Sequence, residues 1–152
     1  MTESNLNDLV YGDKFIDGWR HLEVDKSFPG GTGTGDTGTV AIATVTGTVK
    51  LKVVAICSVN MAGASATIEL GTTGQTAGLI AQTTATDLDA GEIWHDATPD
   101  SPIEASSVSA ETILANGLDI FVTVGTANLS AGTIKFIFMW KPLSRDGIIV
   151  AA

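Results

Sequence analysis

Apolar and polar residues alternate with a period of two along most of this chain. Val40 and Ile42 begin the pattern, Val49, Leu51 and Val53 continue it, and it runs through to Ile134, Phe136, Phe138 and Trp140. Successive side chains of a β-strand point to opposite faces, so this alternation predicts strands with one face buried and one face wet. Strands are expected over 39–46, 48–59, 64–70, 79–82, 92–95, 118–125, 132–141 and 148–150. Gly47, between Thr46 and Thr48, reads as a hairpin turn, which makes the first three strands a meander. Residues 71–78 read as a turn-rich loop. Residues 98–109, with two prolines and many serines, read as a loop or an edge strand. Ala110–Ala115 has room for one helical turn and no more. Many short strands at regular spacing predict an all-β, antiparallel β-sandwich of jelly-roll-like form rather than parallel βαβ units.

The first 38 residues differ from the rest. Leu9, Val10, Tyr11, Phe15, Ile16 and Trp19 are large apolar groups scattered among charges, a composition suited to an arm laid on the body or on a neighbour. An edge strand is expected from Phe15 to Val24. The run from Pro29 to Gly38 holds five glycines, which favour turns and a flexible backbone, and it reads as a hinge. The expected organisation is therefore an N-terminal arm with hinge over 1–38 and a sandwich domain over 39–152.

Composition narrows the function. A chain of 152 residues fits one domain, able to bury about 68–70% of its unfolded surface without staples. Hydrophobic residues make up 44% and charged residues only 16%, below the usual ~25%, so much of the exterior must be Thr, Ser, Gly and Ala. Such an exterior suits burial against partners. The net charge of −9 argues against nucleic acid, whose phosphates require clustered Lys and Arg. No segment approaches the ~20 apolar residues of a membrane span, so no membrane partner is expected. The N-terminus has no basic region followed by an apolar one, and the single cysteine permits no internal disulfide. Folding in a cytoplasm is the expectation, with Cys57 a small hydrophobe inside an apolar run.

Candidate chemistry is sparse. Gly30–Gly38 lacks the Lys-Ser/Thr and the following helix of a phosphate loop. Asp87, Asp89, Glu92 and Asp96 form the densest oxygen-rich cluster, with two readings: a loop wrapping a hard cation, or ordinary turn chemistry. Their spacing is not that of an EF-hand, and no metal is assigned. His21 and His95 are the only histidines, and no Gly-x-Ser-x-Gly elbow accompanies them. Glu69, Glu92, Glu104 and Glu111 are carboxylates for a glycosidase pair, but nothing places two of them on one strand face. The chain is therefore expected to be no enzyme and to need no cofactor. Trp94 offers either a sugar-stacking face or core area, and Trp140 continues the apolar face of its strand. Lys141 and Arg145 mark a basic exit from the last long strand, as a subunit contact or as solvated charge.

Several stretches carry a family resemblance. Gly71-Thr-Thr-Gly, Ala77-Gly-Leu-Ile-Ala81, Trp94-His-Asp-Ala97, Leu118-Asp-Ile-Phe-Val-Thr-Val-Gly125, Gly132-Thr-Ile-Lys-Phe136 and Trp140-Lys-Pro-Leu-Ser144 occur in that order. Together they resemble the small virion proteins of tailed bacteriophages, in particular the capsid decoration, or cement, proteins. The likeness runs from about Thr39 to Val150 and is one of texture and order. It implies a homo-oligomer, usually a trimer, seated on the outside of the capsid and clamping the major capsid protein. On that reading Tyr11, Phe15, Trp19, Lys141 and Arg145 are the expected contacts with shell or neighbour. A receptor- or glycan-binding module of a phage tail or head fibre is the alternative.

Overall fold

The computed structural model describes residues 18–99, 101–105 and 111–152. Ten strands form in chain order: β1 (Arg20–Ser27), β2 (Gly38–Thr46), β3 (Val49–Ala62), β4 (Thr67–Thr72), β5 (Gln75–Thr84), β6 (Ile93–Trp94), β7 (Thr112–Leu114), β8 (Ile120–Gly125), β9 (Ala131–Pro142) and β10 (Ile148–Ala151). They make two antiparallel sheets, so the chain is an all-β sandwich. The first sheet has the order β1-β9-β3, with β6 and β7 end to end along the far edge of β3. The second has the order β10-β2-β8-β4-β5.

The period-two alternation becomes the two inner faces. From the first sheet, Val49, Leu51, Val53, Ala55 and Cys57 of β3 and Ile134, Phe136, Phe138 and Trp140 of β9 are buried. From the second come Val40, Ile42, Val45, Ile68, Leu70, Ile120, Val122 and Val124. At about 25 cal/mol per Å² of apolar area removed from water, these interleaved faces are the main stabilising term. Phe136 lies at the centre, stacked on Phe138 (centroids 6.4 Å apart, 16° between planes) and edge-on to Trp94 (6.4 Å, 66°).

Three expectations are corrected. The turn at Gly47 joins no hairpin: β2 lies in the second sheet and β3 in the first. Both edges of each strand are already taken, β2 by β8 and β10, β3 by β9 and by β6 with β7, so the two cannot also pair with one another. Gly47 instead turns the corner between sheets with φ +65°, a left-handed value that glycine adopts without a Cβ penalty. The turn after β9 staples that corner, with Ser144 Oγ accepting from Thr48 N (2.8 Å) and Leu143 N donating to Thr48 O (2.8 Å). The 71–78 loop contains a tight hairpin, since β4 and β5 are separated only by Thr73 and Gly74. Residues 112–114 form strand β7 rather than a helical turn, drawn into β3's edge ladder opposite Val49–Leu51.

The edge strand expected in the N-terminal region forms, running to Ser27 rather than ending at Val24. β1 is an edge strand, paired along all eight residues with β9, so the sandwich takes in residues well before Thr39. The glycine run is tied down as a turn: Thr34 N and Asp36 N donate to Gly31 O, Gly31 N donates to Asp36 Oδ1, and Leu129 N donates to Gly35 O at 2.7 Å. Thr37 N further donates to Asn128 Oδ1 (2.9 Å). Those bonds shape the glycine run into a turn.

Candidate functional site

Strand register decides which outward side chains meet. Arg20 opposes Trp140 on the buried side of the β1–β9 ladder, and its guanidinium lies 5.0 Å from that indole. One residue earlier, Trp19 falls on the opposite, outer face of the first sheet. Lys141 of β9 points to that same face, and its direct partner across the ladder is Lys50 of β3. Lys52 follows two residues on, again outward.

Two lysines directly opposite one another repel. Here the repulsion is offset from two sides. The Trp19 ring takes the ammonium groups of Lys141, Lys52 and Lys50 at 4.8, 5.0 and 5.6 Å from its centroid. Glu111, just before β7, reaches Lys50 at 3.3 Å and Lys52 at 3.7 Å. Each cation–π contact is worth about 0.5–1 kcal/mol at an exposed site. Three lysines against one carboxylate leave a basic corner on a chain of net charge −9. The side chains of Lys50 and Lys52 are only 31% and 33% exposed, so their stems cover the sheet while their ammonium groups face out.

Beyond this corner the outer face turns apolar. Val54 and Ile56 of β3 and Ile137 and Met139 of β9 occupy adjacent rungs and are half-buried. Glu23 of β1 flanks them with Lys135 at 3.9 Å. The face thus has an apolar centre and a charged rim.

The acidic loop resolves differently. Glu92 Oε2 accepts from Asp89 N (2.8 Å), and Asp96 Oδ1 accepts from Thr98 N (2.8 Å) and Thr98 Oγ1 (3.0 Å). Two of the four carboxylates thus close turns of their own loop, and Asp87 ends a short 3-10 turn, Ala85–Asp87. Among the described residues no three His, Cys, Asp or Glu side chains are grouped to hold a metal ion. The Thr98 backbone bond holds the Asp96 carboxyl below its ordinary value of 3.8. A lowered folded pKa contributes stability above the ordinary pKa and loses it as the pH falls through the lowered one. The stability difference between the wild type and Asp96→Asn is therefore expected to vanish at acid pH, measured by urea unfolding across a pH series.

A contact hidden from the sequence lies beside it. His95, with a side chain only 6% exposed, sits between two carboxylates: Nε2 is 3.3 Å from Glu104 Oε2, and Nδ1 is 3.4 Å from Asp96 Oδ2 without the alignment of a hydrogen bond. Ile93 N donates to Ser101 O (3.2 Å), which brings residues 101–105 alongside β6 and Glu104 to the imidazole. Glu104→Ala strands the buried ring nitrogen and is expected to cost about 1–3 kcal/mol in urea unfolding. Glu104→Gln, which keeps an acceptor, should recover much of that loss.

Trp94 is fully buried against Phe136, so it offers no face to a sugar. Trp140 is core, at 4% exposure. Arg145 lies exposed in the turn between β9 and β10, and Tyr11 and Phe15 lie outside the described residues. Cys57 is buried, and burial pushes its thiol above the ordinary 9.0. Thiol reagents at about pH 8 should therefore leave the native protein unlabelled and modify one thiol per chain only after denaturation.

The comparisons add no relative. Neither family models, nor curated proteins, nor solved structures match this chain.

Proposed function

We propose that this chain is a virion structural protein that docks on the outside of a capsid shell and stabilises it, a head decoration protein. The observation that carries the reading is the outer face of the first sheet, with the Trp19–Lys50–Lys52–Lys141 corner beside the half-buried Val54, Ile56, Ile137 and Met139. The resemblance of residues 39–150 to decoration proteins supplies the partner, a major capsid protein, and the location on the capsid exterior. On this face the partner presents carboxylates to the lysines and apolar side chains to the centre.

The action is mass-action stabilisation. A protein that binds the assembled lattice and not its loose subunits lowers the lattice free energy by about 2.7 kcal/mol per site at a hundredfold excess over Kd. No bond is made or broken, so the chain needs a surface rather than a catalytic group. The test is to mix purified protein with undecorated shells, then measure co-sedimentation and the shell's melting temperature. Binding that raises the melting temperature and weakens with added salt is expected. Absence of co-sedimentation at low salt overturns the reading.

A further inference from the structure

One end of the sandwich gathers the start of β1, the start of β3, strand β7 and the β4–β5 turn. Arg20 opposes Trp140 near the close of β9, Val49 opposes both Pro142 and Leu114, and Ile113 opposes Lys50. Gly117 N donates to Gly47 O (2.8 Å), and Gly71 of β4 pairs with Phe121 at the start of β8, which brings the β4–β5 turn to the same end. A groove of about 370 Å³ lies there between that turn, β7 and Leu118, with Thr72, Leu79 and Leu114 in its wall and no charged group among the described residues that line it. Ile113 and Leu118 on its rim are 61% and 42% exposed. A concave site with aliphatic side chains left in water suits an apolar occupant.

We infer that the occupant is the segment 1–17 of the same chain, with Leu9, Val10 and Tyr11 in the groove against Ile113 and Leu118, and with Asp13 and Asp17 crossing the Trp19 corner. Position is the first argument. The segment joins the body at Gly18, which lies beside Lys141, and three strand spacings of about 4.8 Å, from β1 through β9 and β3 to β7, separate that point from Ile113. The seven residues from Tyr11 to Gly18 reach about 23 Å when extended, against the ~14 Å to be crossed. Trp19 already lies on this path, since its ring reaches Lys50 and Lys52 of β3, the strand next to β7.

Charge is the second argument. Residues 1–17 set Glu3, Asp8, Asp13 and Asp17 against Lys14, a net charge of −3. A chain of net charge −9 repels such a segment over most of its surface, whereas the corner beside the groove sets Lys50, Lys52 and Lys141 against Glu111 alone. The order of residues fits the path: the acids Asp13 and Asp17 fall where the lysines stand, and the apolar run Leu9-Val10-Tyr11 falls beyond them, at the groove. A tethered segment docks at an effective concentration of about a millimolar, so a contact with a Kd of about 0.1 mM is already about nine-tenths occupied. The inference does not rest on the decoration reading. Where both hold, Asp13 and Asp17 compete with the shell's carboxylates for the same lysines.

The experiment uses the full chain without shells. Tyr11 is the only tyrosine in the sequence, so its ring protons are assigned without ambiguity by NMR. Nuclear Overhauser contacts from that ring to the methyl groups of Ile113 and Leu118 are expected in the wild type and should not change on dilution. The full-chain variant Asp13→Lys with Asp17→Lys should weaken those contacts and be cut by chymotrypsin after Tyr11 at least about tenfold faster, while the methyl spectrum of the core stays that of the wild type. The wild-type contacts stand as a readout even if that variant fails to fold. Their absence, their loss on dilution, their transfer between labelled and unlabelled copies, or a folded double variant with contacts and cleavage unaltered each overturns the inference; transfer between copies would mean that the segment docks on a second chain. Shell co-sedimentation is measured separately, so the docked segment and the decoration reading fail independently.

Discussion

Replacing Trp94 by alanine is expected to lower the unfolding free energy by about 3–5 kcal/mol, the range for removing a large aromatic from a packed core. For a domain of about 150 residues that corresponds to a fall in melting temperature of roughly 10 °C or more. Trp94 is fully buried and edge-on to Phe136, yet its strand β6 contributes only two ladder positions, Ile93 and Trp94, opposite Ile56 and Ala55. The backbone around it is held by its side chain more than the reverse. Loss of the indole should therefore also loosen residues 92–99 and 101–105, including the His95–Glu104 pair, and hydrogen exchange there should rise. The comparison variant is Trp94→Phe. The indole Nε1 is buried without a hydrogen-bond partner among the described residues, so phenylalanine keeps the packing and removes an unsatisfied donor. Its cost should stay below about 1.5 kcal/mol. Calorimetric and urea unfolding of both variants check this, and a mild Trp94→Ala would mean that the core closes over the gap.

The second large effect concerns docking. Lys52→Glu combined with Lys141→Glu turns the Trp19 corner from three lysines beside one carboxylate into one lysine beside three. Under the decoration reading, shell affinity should fall at least thirtyfold, about 2 kcal/mol, since like charges then face the capsid's carboxylates. Stability should fall by about 1–2 kcal/mol, the sum of the two cation–π contacts removed, while no core contact is touched. Thr39→Glu with Thr44→Glu adds the same number of acids to the exposed face of β2 in the second sheet. That variant should bind shells within about threefold of the wild type. The lysine pair shifts the net charge by −4 and the threonine pair by −2, so a loss from the threonine pair about half as large in free energy would show that overall charge, rather than the Trp19 face, governs association. Trp19→Ala is the sharper probe of the corner, since it removes the ring and leaves the lysines to repel.

Burial of individual residues was legible in the alternation. Phe136, Phe138 and Trp140 sit inward as their spacing requires, and Lys50 and Lys52, two apart, share a face by the same rule. The limits of local reading show at Gly47. Thr46-Gly-Thr48 looks the same whether it closes a hairpin or turns a corner between sheets, and the outcome depended on β8, β9 and β10, up to a hundred residues away. The candidate corner was partly legible: Trp19 and Lys141 stood out as breaks in the pattern, while Lys50, Lys52 and Glu111 did not. Only the ladder register of Lys141 against Lys50 puts them under one ring.

The sequence by itself determined that this is an all-β chain with two-faced strands, an acidic and weakly charged exterior, and a single cysteine within an apolar run, because side-chain alternation, charge and polarity are properties of each residue and its near neighbours. Tertiary structure alone decided which strand joined which sheet, that Trp94 is core, that His95 meets Glu104, and that lysines gather around Trp19. Those outcomes depend on long-range pairing, where each strand edge can be used once and the choice is made by all the strands together.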